Sequence, residues 1–135
     1  MFTISENTFS KLSVAQTENF INSVMRVFEE QYGFDVQANR EQLRESLLRQ
    51  IEKARSYGLV TEKQVFVYIL TAVFIDSQFD QRISQARKVL ISKTLNGDKK
   101  AKWLEQFTIT LYEELENRGI ISAQARNNMN IKGGT

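Results

Sequence analysis

From Tyr57 to Asp80 the chain reads Tyr-Gly-Leu-Val-Thr-Glu-Lys-Gln-Val-Phe-Val-Tyr-Ile-Leu-Thr-Ala-Val-Phe-Ile-Asp-Ser-Gln-Phe-Asp. Between Val65 and Ile75 only Thr71 is clearly polar. Thr61 followed by Gln64 predicts a capping box, in which the threonine oxygen takes the Gln64 amide and the glutamine side chain reaches back to the Thr61 amide. Val60 before the cap and Val65 inside it predict a hydrophobic staple. The stretch is therefore expected to be a helix from Glu62 to about Ile75, apolar on every face toward its far end and buried on all sides. A strand is the competing reading, because Val, Phe, Tyr and Ile favour sheets. The preceding cap and the helical patterns on either side favour the helix. A membrane span needs about 20 apolar residues, and the run from Val65 to Ile75 has eleven.

Upstream, Ala54-Arg55-Ser56-Tyr57 closes a segment in which Leu43, Leu47, Ile51 and Ala54 share one helical face. Glu41 and Glu45 with Arg44 and Arg49 offer pairs three and four residues apart on its solvated side. Asn39 with Gln42 predicts a second capping box at its start. Gly58 is expected to hold a left-handed C′ conformation. With only Leu59 and Val60 between them, this helix and the central one are expected to form an antiparallel hairpin. Further upstream, Phe20, Ile21, Val24, Val27 and Phe28 form an apolar stripe on a helix expected to end at Tyr32, before Gly33, with Phe34 to Ala38 as connector. Ser5 is expected to cap a first helical piece carrying Phe9 and Leu12. Leu12 is out of phase with the stripe, so a break near Ser13, itself a second cap, is expected.

Downstream, Asp76 to Asp80 is read as a loop, with Asp80 capping a fourth helix that uses Ile83, Ala86, Val89 and Leu90. Asn96-Gly97 is a turn signal. Asp98 is expected to cap a last long helix whose shared face carries Leu104, Phe107, Thr108, Leu111 and Leu115, ended by Gly119. Beyond about Gln124 the chain is expected to fray. The expected architecture is all-α: about five helices packed around residues 62–75, one domain over residues 1–124, and a flexible tail over 125–135.

Composition narrows the chemistry. The 135 residues contain no cysteine and no histidine. Disulfide and thiolate chemistry are thereby removed, along with the commonest general base and metal ligand. No glycine-rich phosphate loop, and no serine or threonine nucleophile with a visible base, is present. No catalytic residue, metal or cofactor is assigned. The N-terminus shows no charged leader followed by an apolar core, so no signal peptide is expected, and a cytoplasmic location fits. The net charge of +2 is unevenly placed. Residues 81–103 hold seven Lys and Arg against Asp98 alone, a net +6, and the remainder holds 11 bases against 15 acids, a net −4. A basic segment beside a mildly acidic body is an electrostatic footprint.

Ala54-Arg55-Ser56-Tyr57-Gly58-Leu59, then Thr61-Glu62, then an apolar helix closing on Phe79-Asp80, resembles a group of small helical proteins typically encoded in bacterial type VI secretion gene clusters. In that group the loop before the closing Phe-Asp commonly reads Gly-Pro-Asp, whereas here it reads Asp76-Ser77-Gln78. A basic fourth helix leading to a turn and a long last helix is a second partial match. The resemblance spans about residues 38–115. It implies a cytoplasmic accessory protein that handles an effector or spike component, and no catalytic residues.

The residues themselves point to a partner-binding surface. Phe79 sits in a polar loop, and Trp103 lies about 100° around its helix from Leu104, at the edge of the core stripe. With Asp80, Lys99, Lys100 and Lys102 they make an aromatic anchor with a charged rim. The competing reading folds both rings inward to close the end of the bundle. A non-enzymatic accessory, chaperone or adaptor for another protein is the first functional expectation. An immunity protein neutralising a toxin is the second, and a nucleic-acid-binding regulator using residues 82–102 the third. The basic segment has one aromatic, Trp103, and no nucleic-acid motif.

Overall fold

The central helix forms as its cap predicts. The computed structural model describes residues 14–119. In it, the Gln64 amide donates to Thr61 Oγ1 at 3.1 Å, and the Thr61 and Val60 amides donate to Gln64 Oε1 at 3.3 and 2.8 Å. The helix runs Glu62–Phe74 and is designated α3. Val65, Phe66, Tyr68 and Ile69 are fully buried. The expected first helical piece with Phe9 and Leu12, the caps at Ser5 and Ser13, and the tail over 125–135 lie outside the described residues.

Six α-helices and one 3-10 turn make up the described fold: α1 (Val14–Tyr32), the 3-10 turn (Val36–Asn39), α2 (Arg40–Ser56), α3, α4 (Phe79–Arg82), α5 (Ser84–Leu90) and α6 (Gly97–Asn117). Among the described residues the chain is all-α, and no helix is long and apolar enough to cross a membrane.

The core lies around α3, which packs chiefly on α6 and α2. Phe20, Ile21, Val24 and Phe28 of α1, Leu47 and Ile51 of α2, and Leu104 of α6 close around it. At one end Phe28 packs on Phe34 (ring centroids 5.0 Å apart), Tyr32 on Phe74 (5.1 Å) and Phe74 on Tyr112 (5.5 Å), tying α1, α3 and α6 together. The Thr71 and Thr108 hydroxyls lie 2.6 Å apart and close the α3–α6 contact. Arg44 of α2 is ion-paired to Glu18 of α1.

The α2–α3 hairpin turns as expected. Gly58 has φ +87°. Its amide donates to Arg55 O and the Leu59 amide to Ala54 O, both at 3.0 Å. This is a Schellman motif, with Leu59 and Ala54 as its buried apolar contact.

Three expected caps do not form. Asn39 ends the 3-10 turn, which runs straight into α2. Its φ of −139° and ψ of 46° leave it outside the extended geometry from which a capping side chain reaches the first amides. Asn96, not Asp98, caps α6, its side chain accepting from the Lys99 amide at 2.9 Å. Asp98 sits in the first turn, where a carboxylate suits the helix dipole, and accepts from Gln64 Nε2 at 2.7 Å. Asp80 caps nothing: it lies inside α4 with its carboxylate turned into the protein. The expected fourth helix is therefore split, α4 and α5 being separated by the extended residue Ile83.

Candidate functional site

The six residues expected to bind a partner divide evenly between interior and surface. Phe79, Asp80 and Lys100 are buried. Lys99 and Lys102 are exposed and Trp103 is half-buried. The first three do not offer a partner a surface in this fold, and each has a structural occupation instead.

Phe79 packs on the Tyr68 ring at 4.8 Å and closes the junction of α2, α3 and α4. Its loop position is explained by that burial, so the inward-folded alternative holds for this ring. Asp80 follows it inward. Tyr57 Oη donates to Asp80 Oδ2 at 2.7 Å, and Gln81 Nε2 donates to the same oxygen at 3.3 Å. Oδ1 receives no well-directed hydrogen bond, and its charge is met by Lys53 Nζ at 2.9 Å. Burial pushes the Asp80 carboxyl up, but Lys53 and the Tyr57 hydroxyl outweigh it and hold the group below its ordinary value. Burial, then the hydrogen bond to Asp80, pushes the Tyr57 phenol up to about 12. Burial also raises Tyr68. This cluster fixes the end of α2 to α4, and Gln50 Nε2 adds a bond to Ser77 O at 3.3 Å. Asp76 stands apart from it, accepting from the Gln78 amide at 2.8 Å and pairing with Arg82.

Lys100 joins two helix ends. Its ammonium donates to Tyr57 O at 2.8 Å and to Leu90 O at 2.7 Å. Tyr57 is the C-cap of α2 and Leu90 the last residue of α5. Carbonyls at these ends lack intrahelical donors and carry the negative end of the dipole, so a buried cation satisfies both demands.

Sequence reasoning missed Lys53, Tyr57 and Gln64 as partners of Asp80 and Asp98. One signal was available for Lys100. It stands four residues before Leu104, on the core stripe, whereas Lys99 and Lys102 fall off it.

What remains outside is a cationic edge and an apolar stripe. Arg82, Arg87, Lys88, Lys93, Lys99 and Lys102 are exposed along α4, α5, the following turn and the start of α6. Beside them Trp103 and Phe107 stack with centroids 4.9 Å apart and planes 11° from parallel. With Gln106, Thr110, Leu111, Glu114 and Gln85 of α5 these rings line a groove of about 420 Å³. Such a surface can hold a protein segment by apolar contact and charge. No protein-family model, curated protein or solved structure matches this chain.

Proposed function

We propose that this chain is a non-enzymatic, cytoplasmic protein-binding accessory that handles an effector or spike component of a type VI secretion system, docking it on the cationic edge of α5. The observation that supports this reading is the exposure of Arg87, Lys88 and Lys93 within a basic segment, residues 81–103, whose net +6 stands against −4 for the rest of the chain. Such an edge steers an acidic partner and fixes its register. The resemblance in Ala54–Leu59, Thr61-Glu62 and Phe79-Asp80 supplies the secretion context. In the fold these residues form the α2 terminus, the α3 cap and the α4 anchor, which hold α5 and α6 in place.

The test is affinity capture from the native cell with the wild-type chain and with a variant carrying Arg87→Glu, Lys88→Glu and Lys93→Glu. Capture of a spike or effector component by the wild type alone is the expected result. Capture of a toxin whose activity the chain abolishes would replace this reading with the immunity one. Steep, salt-dependent retardation of DNA or RNA that the variant loses would replace it with nucleic-acid binding.

A further inference from the structure

One stripe of α6, exposed at its ends and half-buried at Trp103 and Phe107, carries opposite charge at its two ends. Lys99 and Lys102 are exposed near its start, and Glu113 and Glu114 near its finish. Between them lies the Trp103–Phe107 stack. Trp103, Phe107, Thr110 and Glu114 follow one another at intervals of four, three and four residues, which is one face of a helix. Lys99, four residues before Trp103, extends the same face.

A stripe that is basic at one end, aromatic toward the middle and acidic at the other end is complementary to itself when turned end for end. A two-fold axis passing between Gln106 and Phe107 sets Lys99 of one copy against Glu114 of the other, and Trp103 against Thr110. Each contact is then made twice, as an isologous interface requires. The 21 residues of α6 span about 31 Å, at about 1.5 Å per residue, enough for several turns of helix-on-helix packing. Among the described residues Glu114 pairs with the exposed Arg118, at 3.6 Å. A pair of that kind does not commit the carboxylate.

We propose that α6 pairs antiparallel with α6 of a second copy of this chain, through the Trp103–Phe107 stripe, with Lys99 and Lys102 meeting Glu113 and Glu114 across the axis. This goes beyond the docking role assigned to α5. Arg87, Lys88 and Lys93 do not line the groove, so the pair would present that edge twice.

Trp103 is the only tryptophan, so its emission reports on this stripe alone. In sedimentation equilibrium the wild-type chain should rise with concentration to twice its chain mass, with the Trp103 emission moving to shorter wavelength in step. The variant Lys99→Glu/Lys102→Glu and the variant Glu113→Lys/Glu114→Lys should each stay at monomer mass. An equimolar mixture of the two should recover the doubled mass, because each reversed end then meets its opposite. Both reversals place charge as the helix dipole prefers, and circular dichroism of each variant verifies the fold. A wild-type chain that remains monomeric overturns the proposal. So does a dimer that neither reversal weakens, or a mixture that does not reassociate. Emission already at short wavelength in the monomer would mean the stripe is covered within one chain. A shift that follows an added protein rather than chain concentration would assign the stripe to a different partner. Either result also overturns the proposal. Loss of partner capture by the α5 variant, with chain mass unchanged, separates this result from the docking role.

Discussion

Gly97 approaches Gln64 so closely that a Cβ built on the glycine would stand 2.7 Å from Gln64 Oε1. The same Cβ would meet Gly58 O at 2.8 Å. Gln64 cannot swing aside without cost, because its oxygen serves the α3 cap and its nitrogen holds Asp98. Three segments thus converge on one missing side chain: the α2–α3 turn, the start of α3 and the start of α6. Gly97→Ala should destabilise the protein by roughly 1–3 kcal/mol, the usual size for forcing atoms into packed space. Chemical denaturation checks this, and a midpoint equal to wild type would refute the close approach.

Gly58 fails differently. Among the described residues a Cβ there meets only Lys100 Nζ, at 3.8 Å, so space is available, but φ is +87°. Gly58→Val should cost about 1–2 kcal/mol or more through backbone strain. Gly58→Asn should cost less, since Asn tolerates the left-handed region. Equal midpoints for the two variants would contradict a conformational origin.

Neighbouring lysines should behave unequally. Lys100→Met removes two charge-assisted hydrogen bonds and leaves Tyr57 O and Leu90 O without their donor. The loss should be roughly 3 kcal/mol, from bonds of about 1.5–3 kcal/mol each to charged groups. Lys99→Met and Lys102→Met should stay within about 0.5 kcal/mol, as exposed changes usually do. Three equal urea midpoints would remove the clasp assigned to Lys100.

The Asp80 cluster should give stability a pH signature at both ends. Asp80 is held below its ordinary value, so its contribution is complete above the unfolded value, about 3.9. It is lost as pH falls through the folded value. Asp80→Asn should cost roughly 1–3 kcal/mol at pH 7, reduced from the fully buried case because Lys53 is a third exposed. The gap to wild type should shrink on acidification below about pH 4. At the other end, Tyr57 is pushed up to about 12. Its contribution is complete below about 10 and lost as pH rises through the folded value. Tyr57→Phe should abolish that alkaline part. Melting temperatures across pH test both, and a wild-type-to-Asn gap that is constant from pH 7 to pH 3 would contradict the acid limb.

Local signals were legible where local geometry is the cause. Thr61 and Gln64 cap α3 because three residues of helix bring side chain and amide together whatever surrounds them. Gly58 ends α2 because a positive φ is a property of one residue. The stripes Phe20–Phe28, Leu47–Ala54 and Val65–Ala72 became the core because hydrophobic periodicity records which face leaves water. These features determined an all-α fold around α3 from sequence alone. The tertiary structure decided the rest. Asp80 reads as a cap until Lys53 and Tyr57, 27 and 23 residues earlier in the chain, arrive beside it. Lys100 reads as one more surface cation until Tyr57 O and Leu90 O converge on it. Gly97 reads as a turn residue until Gln64 and Gly58 crowd it. A polar side chain settles where its hydrogen bonds and charge are best satisfied, and in these cases the satisfying atoms come from helices that only folding brings together.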